Sequence, residues 1–292
     1  MTAQLIDGKM IAQQVREQVA AEVSTRTAAG KPQPVLATVL VGDRPDSAAY
    51  VASKGKACQE LGMGSISEHL PADATQEQVE ALVKELNANP QISGILVQLP
   101  MPSHIDEERV LSLINIEKDV DGFSPINIGR LAQKGREPLF VPCTPYGCIY
   151  LLEQTGIKIE GANAVVLGRS NIVGMPVALL LISRNATVTV CHSRTRDLPA
   201  VVRQADILIA AIGKTELVRG DWIKPGAAVI DVGINSIPDA TKKSGHRLVG
   251  DVNFNEAREV AGFITPVPGG VGPMTIAMLM KNTLRAAQIQ FP

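Results

Sequence analysis

The chain has 292 residues, a formal net charge of −1 and an apolar content of 45%. That is length enough for about two domains with buried cores, and the even charge excludes a general attraction to nucleic acid or to an anionic membrane surface. Aromatic residues make up 3%, too few for a surface that stacks single-stranded bases.

In chain order, a helical pattern covers about 8–29, and the apolar run Val35–Val41 predicts a buried strand closed by Gly42 and Asp43. Helices are expected at roughly 46–61 and 76–87, then a buried strand at 93–99 ended by Pro100 and Pro102. A short helix at 106–114 leads into Lys118-Asp119-Val120-Asp121-Gly122. The segment 122–147, with Pro125, Pro138, Pro142 and Pro145, reads as irregular, and the passage between domains is placed at its end. A helix at about 146–155 precedes a strand at 164–167 and a glycine turn, and further strands are expected at 187–191, 206–211 and 227–232. The run 266–273 breaks regular structure, and a last helix at 274–288 starts behind Pro273, a residue favoured in a first helical turn. Strands alternating with helices give an α/β protein.

Cys58, Cys143, Cys148 and Cys191 form no C-x-x-C pair, and His69, His104, His192 and His246 are scattered. No metal site is expected, and the cysteines read as free thiols of a reducing compartment. The N-terminus shows no leader pattern and no segment is apolar enough to span a bilayer, so the expected location is the cytoplasm.

The glycine turn carries the first chemical signal. Strand, Gly168-Arg169-Ser170-Asn171-Ile172-Val173-Gly174 and helix start present backbone N–H groups to a pyrophosphate. Only two of the three glycines of the usual dinucleotide fingerprint are present. An NAD-selective site usually carries a carboxylate after the next strand; here the chain reads His192-Ser193-Arg194-Thr195-Arg196. That favours the 2′-phosphate of NADP, with Arg169 placed for paired hydrogen bonds to it, against the reading of a solvated turn arginine.

The second signal lies in the first half. Ser47, Tyr50 and Lys54 are spaced i, i+3 and i+7 and share a helix face with Ala57 and Leu61. A lysine on such a face either loses water and works as a proton carrier, or lays its stem on the core while its charge reaches solvent. Gln98, near a strand's carboxyl end, needs polar partners; a ligand, Lys54 or loop backbone all qualify. Asp119 and Asp121 flank Val120 and point the same way if extended. They suit a guanidine-like N–H pair, or a turn or cap before Gly122, the commoner fate of Asp-Gly. Gly269-Gly270-Val271-Gly272-Pro273 permits close approach of backbone to a ligand, or makes a tight interdomain turn.

Taken together, Tyr50-x-x-x-Lys54, Val97-Gln98-Leu99-Pro100-Met101-Pro102, Lys118-Asp119-Val120-Asp121-Gly122, Gly168-Arg169-Ser170-x-x-Val173-Gly174-x-Pro176, Cys191-His192-Ser193-Arg194-Thr195 and Thr265 through Thr275 resemble the bifunctional methylenetetrahydrofolate dehydrogenase/methenyltetrahydrofolate cyclohydrolase (FolD) family. The motifs keep that family's order over nearly the whole chain. The resemblance implies an α/β folate-binding catalytic domain at 1–145, completed by a C-terminal helix at 272–292, and a Rossmann-like NADP-binding domain at 146–271, with a cleft between them. It implies Lys54 as the catalytic lysine, Gln98 as its tuner, Tyr50 stacked on the p-aminobenzoyl ring, Asp121 on the pterin and Ser47 in support. Pro268, Gly269, Gly270 and Val271 would line the folate. Thr144, Gly168, Arg169, Ser170, Ile172, Ser193, Ile234 and Thr275 would bind NADP, with Arg169 and Ser193 on the 2′-phosphate. It also implies a homodimer, and the length leaves no room for the formyltetrahydrofolate synthetase that larger eukaryotic relatives append. A dehydrogenase of shikimate or amino-acid type and a non-catalytic nucleotide sensor are the rival readings.

Overall fold

The computed structural model describes residues 2–242 and 245–292. Its strands are β1 (Gln4–Leu5), β2 (Val35–Val41), β3 (Gly64–Leu70), β4 (Gly94–Val97), β5 (Asn163–Leu167), β6 (Thr187–Cys191), β7 (Ile207–Ala210), β8 (Ala228–Asp231), β9 (Asn235–Pro238), β10 (His246–Val249) and β11 (Phe263–Ile264). The helices are α1 (Gly8–Ala28), α2 (Pro45–Glu60), α3 (Gln76–Ala88), α4 (Glu107–Ser112), α5 (Pro125–Ala132), α6 (Cys143–Gln154), α7 (Gly174–Ser183), α8 (Leu198–Val202), α9 (Phe254–Ala257) and α10 (Val271–Gln290). They divide into two compact units, one made of the chain up to Ala12 with Thr144–Thr275, the other of Gln13–Cys143 with Ile276–Pro292.

The first unit is built on a six-stranded sheet of order β1-β11-β8-β7-β5-β6, parallel throughout. Strands β7 and β8 are buried residue by residue, as are the last four residues of β5. That accounts for their apolar runs, broken only by Asp231 at the end of β8: a parallel sheet covered on both faces has no polar side to alternate with. After β5 the chain goes to β6 on one side and then returns to β7 on the other. The carboxyl end of β5 is therefore a switch point, where open α/β sheets bind ligands.

The second unit carries a three-stranded parallel sheet of order β3-β2-β4. Its core joins Val39, Ile95 and Val97 to Val79, Val83 and Leu86 of α3. Helix α3 opens on a capping box in which Thr75 and Gln78 each satisfy the other's backbone N–H. Here too the chain leaves the central strand β2 in both directions, and α2 and Gln98 follow the carboxyl ends of β2 and β4.

Several elements depart from the sequence reading. The first residues, expected in the folate-type half, pair through β1 with β11 and belong to the six-stranded unit. The supposedly irregular 122–147 contains α5 and the start of α6. Pro125 stands at the first helical position, where its missing N–H costs nothing, and the Ser124 hydroxyl accepts from Ile126 N–H. The strand β3 and the β9–β10 hairpin carry too many polar residues to announce themselves as apolar runs.

Candidate active site

Helix α2 begins at Pro45 without a side-chain cap, and its first-turn Asp46 accepts the Ser47 N–H. Ser47, Val51, Lys54, Ala57 and Cys58 form its buried face. The lysine is 7% exposed. Its ammonium donates to the Gln98 side-chain oxygen at 2.8 Å and lies 5.8 Å from the centre of the half-exposed Tyr50 ring. Gln98 is held from both sides: its backbone N–H donates to Val39, extending the β2–β4 ladder, and its side-chain amide donates to the Leu99 carbonyl at 2.7 Å. The lysine thus takes the buried reading, and its partner is the glutamine.

Burial pushes the Lys54 pKa below the ordinary lysine value, opposed by the charges of Asp121 and Cys143. Burial pushes the Asp121 carboxyl up, opposed by Lys54 and by a hydrogen bond with the Cys143 thiol. Each group therefore biases the other toward charge while desolvation resists both.

The two aspartates part company. Asp119 accepts from Phe123 N–H, Ser124 N–H at 2.8 Å and the Asn127 side chain at 2.9 Å. It is a local cap for the turn into α5. Asp121 carries on toward Lys54. Gly122 turns the chain at φ +76°, where a Cβ would strike the Val141–Pro142 backbone.

Two residues beside this set escaped the sequence reading as site residues. Cys143, noted only as a free thiol, faces Asp121. Asn282 reaches in from α10 and donates to the carbonyls of Val120 at 2.8 Å and Val141 at 3.0 Å. A lone amide on the buried stripe of Met278, Leu279 and Ala286 was the available signal, since a buried amide needs partners.

The dinucleotide-type residues lie in the six-stranded unit. Gly168 ends β5 at φ +113°, and a Cβ there would collide with the Ala211 carbonyl beyond β7. Gly174 packs equally closely on the Gly168 carbonyl. The Ser170 hydroxyl accepts from Val173 and Gly174 N–H as α7 begins. Arg169, Ser170, Ile172 and Ser193 are exposed, and among the described residues no carboxylate pairs with Arg169. This narrow, carboxylate-free turn fits a dinucleotide bearing an extra phosphate. Thr144 and Thr275 meet through their hydroxyls at 3.0 Å, and Ile234 is 50% exposed. Pro268 is exposed, whereas Gly269, Gly270 and Val271 are buried. Gly269 has φ +112° beneath the Lys9 side chain, and Gly8 of α1 meets the Gly270 carbonyl with no room for a Cβ. Among the described residues no cluster of His, Cys, Asp or Glu is suited to a metal ion, and no helix is long and apolar enough to cross a membrane.

Residues 6–121 match the model of the tetrahydrofolate dehydrogenase/cyclohydrolase catalytic domain, and residues 142–291 match that of the NAD(P)-binding domain of the same family. The chain is 58% identical over 290 residues to bifunctional protein FolD 2 of Arabidopsis thaliana, covering 99% of this chain and 97% of that one. It is 57% identical to bifunctional protein FolD of Moorella thermoacetica, covering 99% and 100%. The solved FolD of Trypanosoma brucei, complexed with NADP cofactor and inhibitor, superposes with a TM-score of 0.95 at 46% identity, covering 99% of this chain and 98% of that one. The chain belongs to the tetrahydrofolate dehydrogenase/cyclohydrolase family.

Proposed function

We propose that this protein oxidises 5,10-methylenetetrahydrofolate to 5,10-methenyltetrahydrofolate with NADP+, and then hydrolyses the product to 10-formyltetrahydrofolate, as a step of one-carbon metabolism. The observation that carries the reading is the buried Lys54–Gln98 contact beside Asp121, in a chain of this family. The match of both halves of the chain to this family's two domains disfavours a shikimate-type dehydrogenase, and the buried lysine disfavours a non-catalytic nucleotide sensor.

Oxidation takes a hydride from the methylene carbon, and the substrate's N5 and N10 lone pairs stabilise the methenyl cation. NADP+, when bound, supplies the hydride acceptor. Gly168, Ser170, Ile172 and the α7 N-terminus would hold the pyrophosphate end, Arg169 and Ser193 the 2′-phosphate, and Thr144, Ile234 and Thr275 the remainder. The protein's main contribution to this step is placement.

Hydrolysis needs proton movement. Water adds to the methenyl carbon and Lys54 accepts one of its protons, leaving a hydroxyl adduct; the ammonium returns that proton to N5 as the C–N5 bond breaks, and the adduct's hydroxyl proton is released to solvent as the formyl C=O forms. A lysine with a lowered pKa suits both directions of transfer. Gln98 keeps the amine aimed, and its oxygen offers the ammonium a partner without the full charge of a carboxylate. Asp121 would accept two parallel N–H bonds from the pterin. Tyr50 offers an exposed ring face for the p-aminobenzoyl group, Ser47 supports α2 at Lys54, and Pro268 to Val271 would line the folate. The proposal extends to a homodimer and to the cytoplasm, the latter supported by four cysteines that are all buried and free.

The test mixes the protein with methylenetetrahydrofolate and NADP+ and follows NADPH and methenyl absorbance. NADPH should accumulate while the methenyl signal rises and decays. Absence of signal with either NADP+ or NAD+ would overturn the reading.

A further inference from the structure

Two buried carboxylates in the six-stranded unit have no part in the mechanism above. Asp231 closes β8, and Asp251 follows β10; they are 4% and 0% exposed. Among the described residues neither has a cationic partner, and both instead accept from several N–H donors. Asp251 accepts from three consecutive backbone N–H groups, Ile212 at 2.7 Å, Gly213 at 2.9 Å and Lys214 at 2.9 Å, and from the Asn235 side chain at 3.0 Å. Asp231 accepts from Gly233 at 3.0 Å, Asp251 N–H at 3.0 Å and Val252 at 2.9 Å. Its own N–H is fixed by the Thr265 hydroxyl at 2.8 Å.

What these donors have in common is their place. Residues 212–214 form the turn directly after Ala211, whose carbonyl sits against Gly168 at the switch point. Gly233 and Asn235 bracket Ile234, so one carboxylate holds each side of that exposed residue. Gly233 and Gly250 have no room for a Cβ, because the Asp251 and Asp231 carboxylates occupy that space. The pair therefore ties together the loops after β7 and β8, at the carboxyl edge of the sheet. Burial, with the charge of Asp251 adding to it, pushes the Asp231 carboxyl up to about 7. Backbone donors hold both carboxyl groups in place.

We propose that Asp251, steadied by Asp231, is a positioning residue for the nucleotide cofactor: it sets the 212–214 turn against the Gly168 turn and fixes Ile234. This rests on the reading that the six-stranded unit binds NADP. The enzyme supplies its own control, because hydrolysis of added methenyltetrahydrofolate needs no nucleotide.

In Asp251→Asn, one acceptor oxygen becomes an NH2 group facing N–H donors. The expected result is a KM for NADP+ raised at least tenfold, with NADPH affinity by fluorescence titration weakened to match. The nucleotide-free cyclohydrolase rate should stay within about twofold of wild type. Should that variant fail to fold, Asn235→Ala removes one donor and leaves the carboxylate; it should raise the KM about threefold with the same sparing of hydrolysis. An unchanged NADP+ KM in a folded variant, or equal loss of both activities, would overturn the proposal. Wild-type protein that binds NADPH but turns over no folate would instead sink the activity reading, and the titrations would still decide the clamp.

Discussion

The Gln98 side chain accepts from the Lys54 ammonium and donates to the Leu99 carbonyl, so its two ends are chemically assigned by their neighbours. An amide held this way stabilises the ammonium less than a carboxylate would. The lysine keeps a pKa depressed by burial.

The pH profile of the cyclohydrolase should report this. A proton-accepting Lys54 gives a rate that rises with pH, with a midpoint below the usual lysine value of about 10.4. Gln98→Glu puts a negative charge on the ammonium and should move the midpoint upward by about 1 unit or more. A rising limb that stays in place in the variant would separate Gln98 from the titration of Lys54.

Lys54→Met keeps the stem and removes the amine. Loss of a general acid–base group costs about 10²–10⁴ in rate. Methenyl absorbance decay in the variant should fall by that order, and hydrolysis at wild-type speed would remove the role.

Arg169→Ala should raise the KM for NADP+ by about tenfold or more, since hydrogen bonds to a charged group are worth about 1.5–3 kcal/mol. The KM for NAD+, which has no 2′-phosphate, should move far less. Equal changes for both cofactors would dispose of the 2′-phosphate contact.

Stability should carry the mark of Asp231. Its folded pKa of about 7 lies above the unfolded value of 3.8, so the native state binds the extra proton between those limits. Its contribution is fully present below pH 3.8 and is lost as pH rises through about 7, a change of a few kcal/mol. Urea unfolding at pH 5 and pH 8 should show wild type losing more stability across that interval than Asp231→Asn. Parallel losses in both proteins would count against it.

The elements that could be read from sequence were those whose environment leaves a one-dimensional trace. Strand β2 is an apolar run interrupted only by the buried Thr38, because it is central and covered on both faces. Helix α2 shows its buried face as a spacing. Strand β3, at a sheet edge, carries Ser65, Ser67, Glu68 and His69, and β1 and β11 are two residues each; none of these leaves an apolar run long enough to notice. In the site, the Lys54–Gln98 pairing could be listed among several options, because both residues had an unusual place in an element. Spacing alone leaves Asp119 and Asp121 equivalent, and only the family resemblance points to Asp121; the difference depends on Asn127 and Ser124 closing around one carboxylate. Cys143 and Asn282 act through contacts far apart in sequence, which periodicity does not record.

The amide of Asn282 also has a bearing on how the protein is made. The backbone it holds, at Val120 and Val141, belongs to a unit whose first stretch ends at Cys143 and whose second begins only at Ile276. On the ribosome, Lys54, Gln98 and Asp121 all emerge well before the strap that braces the last of them. The six-stranded unit is translated in between. The nascent chain therefore presents all of its NAD(P)-binding-type unit before the unit that carries Lys54 is complete, which happens only when the final helix leaves the exit tunnel.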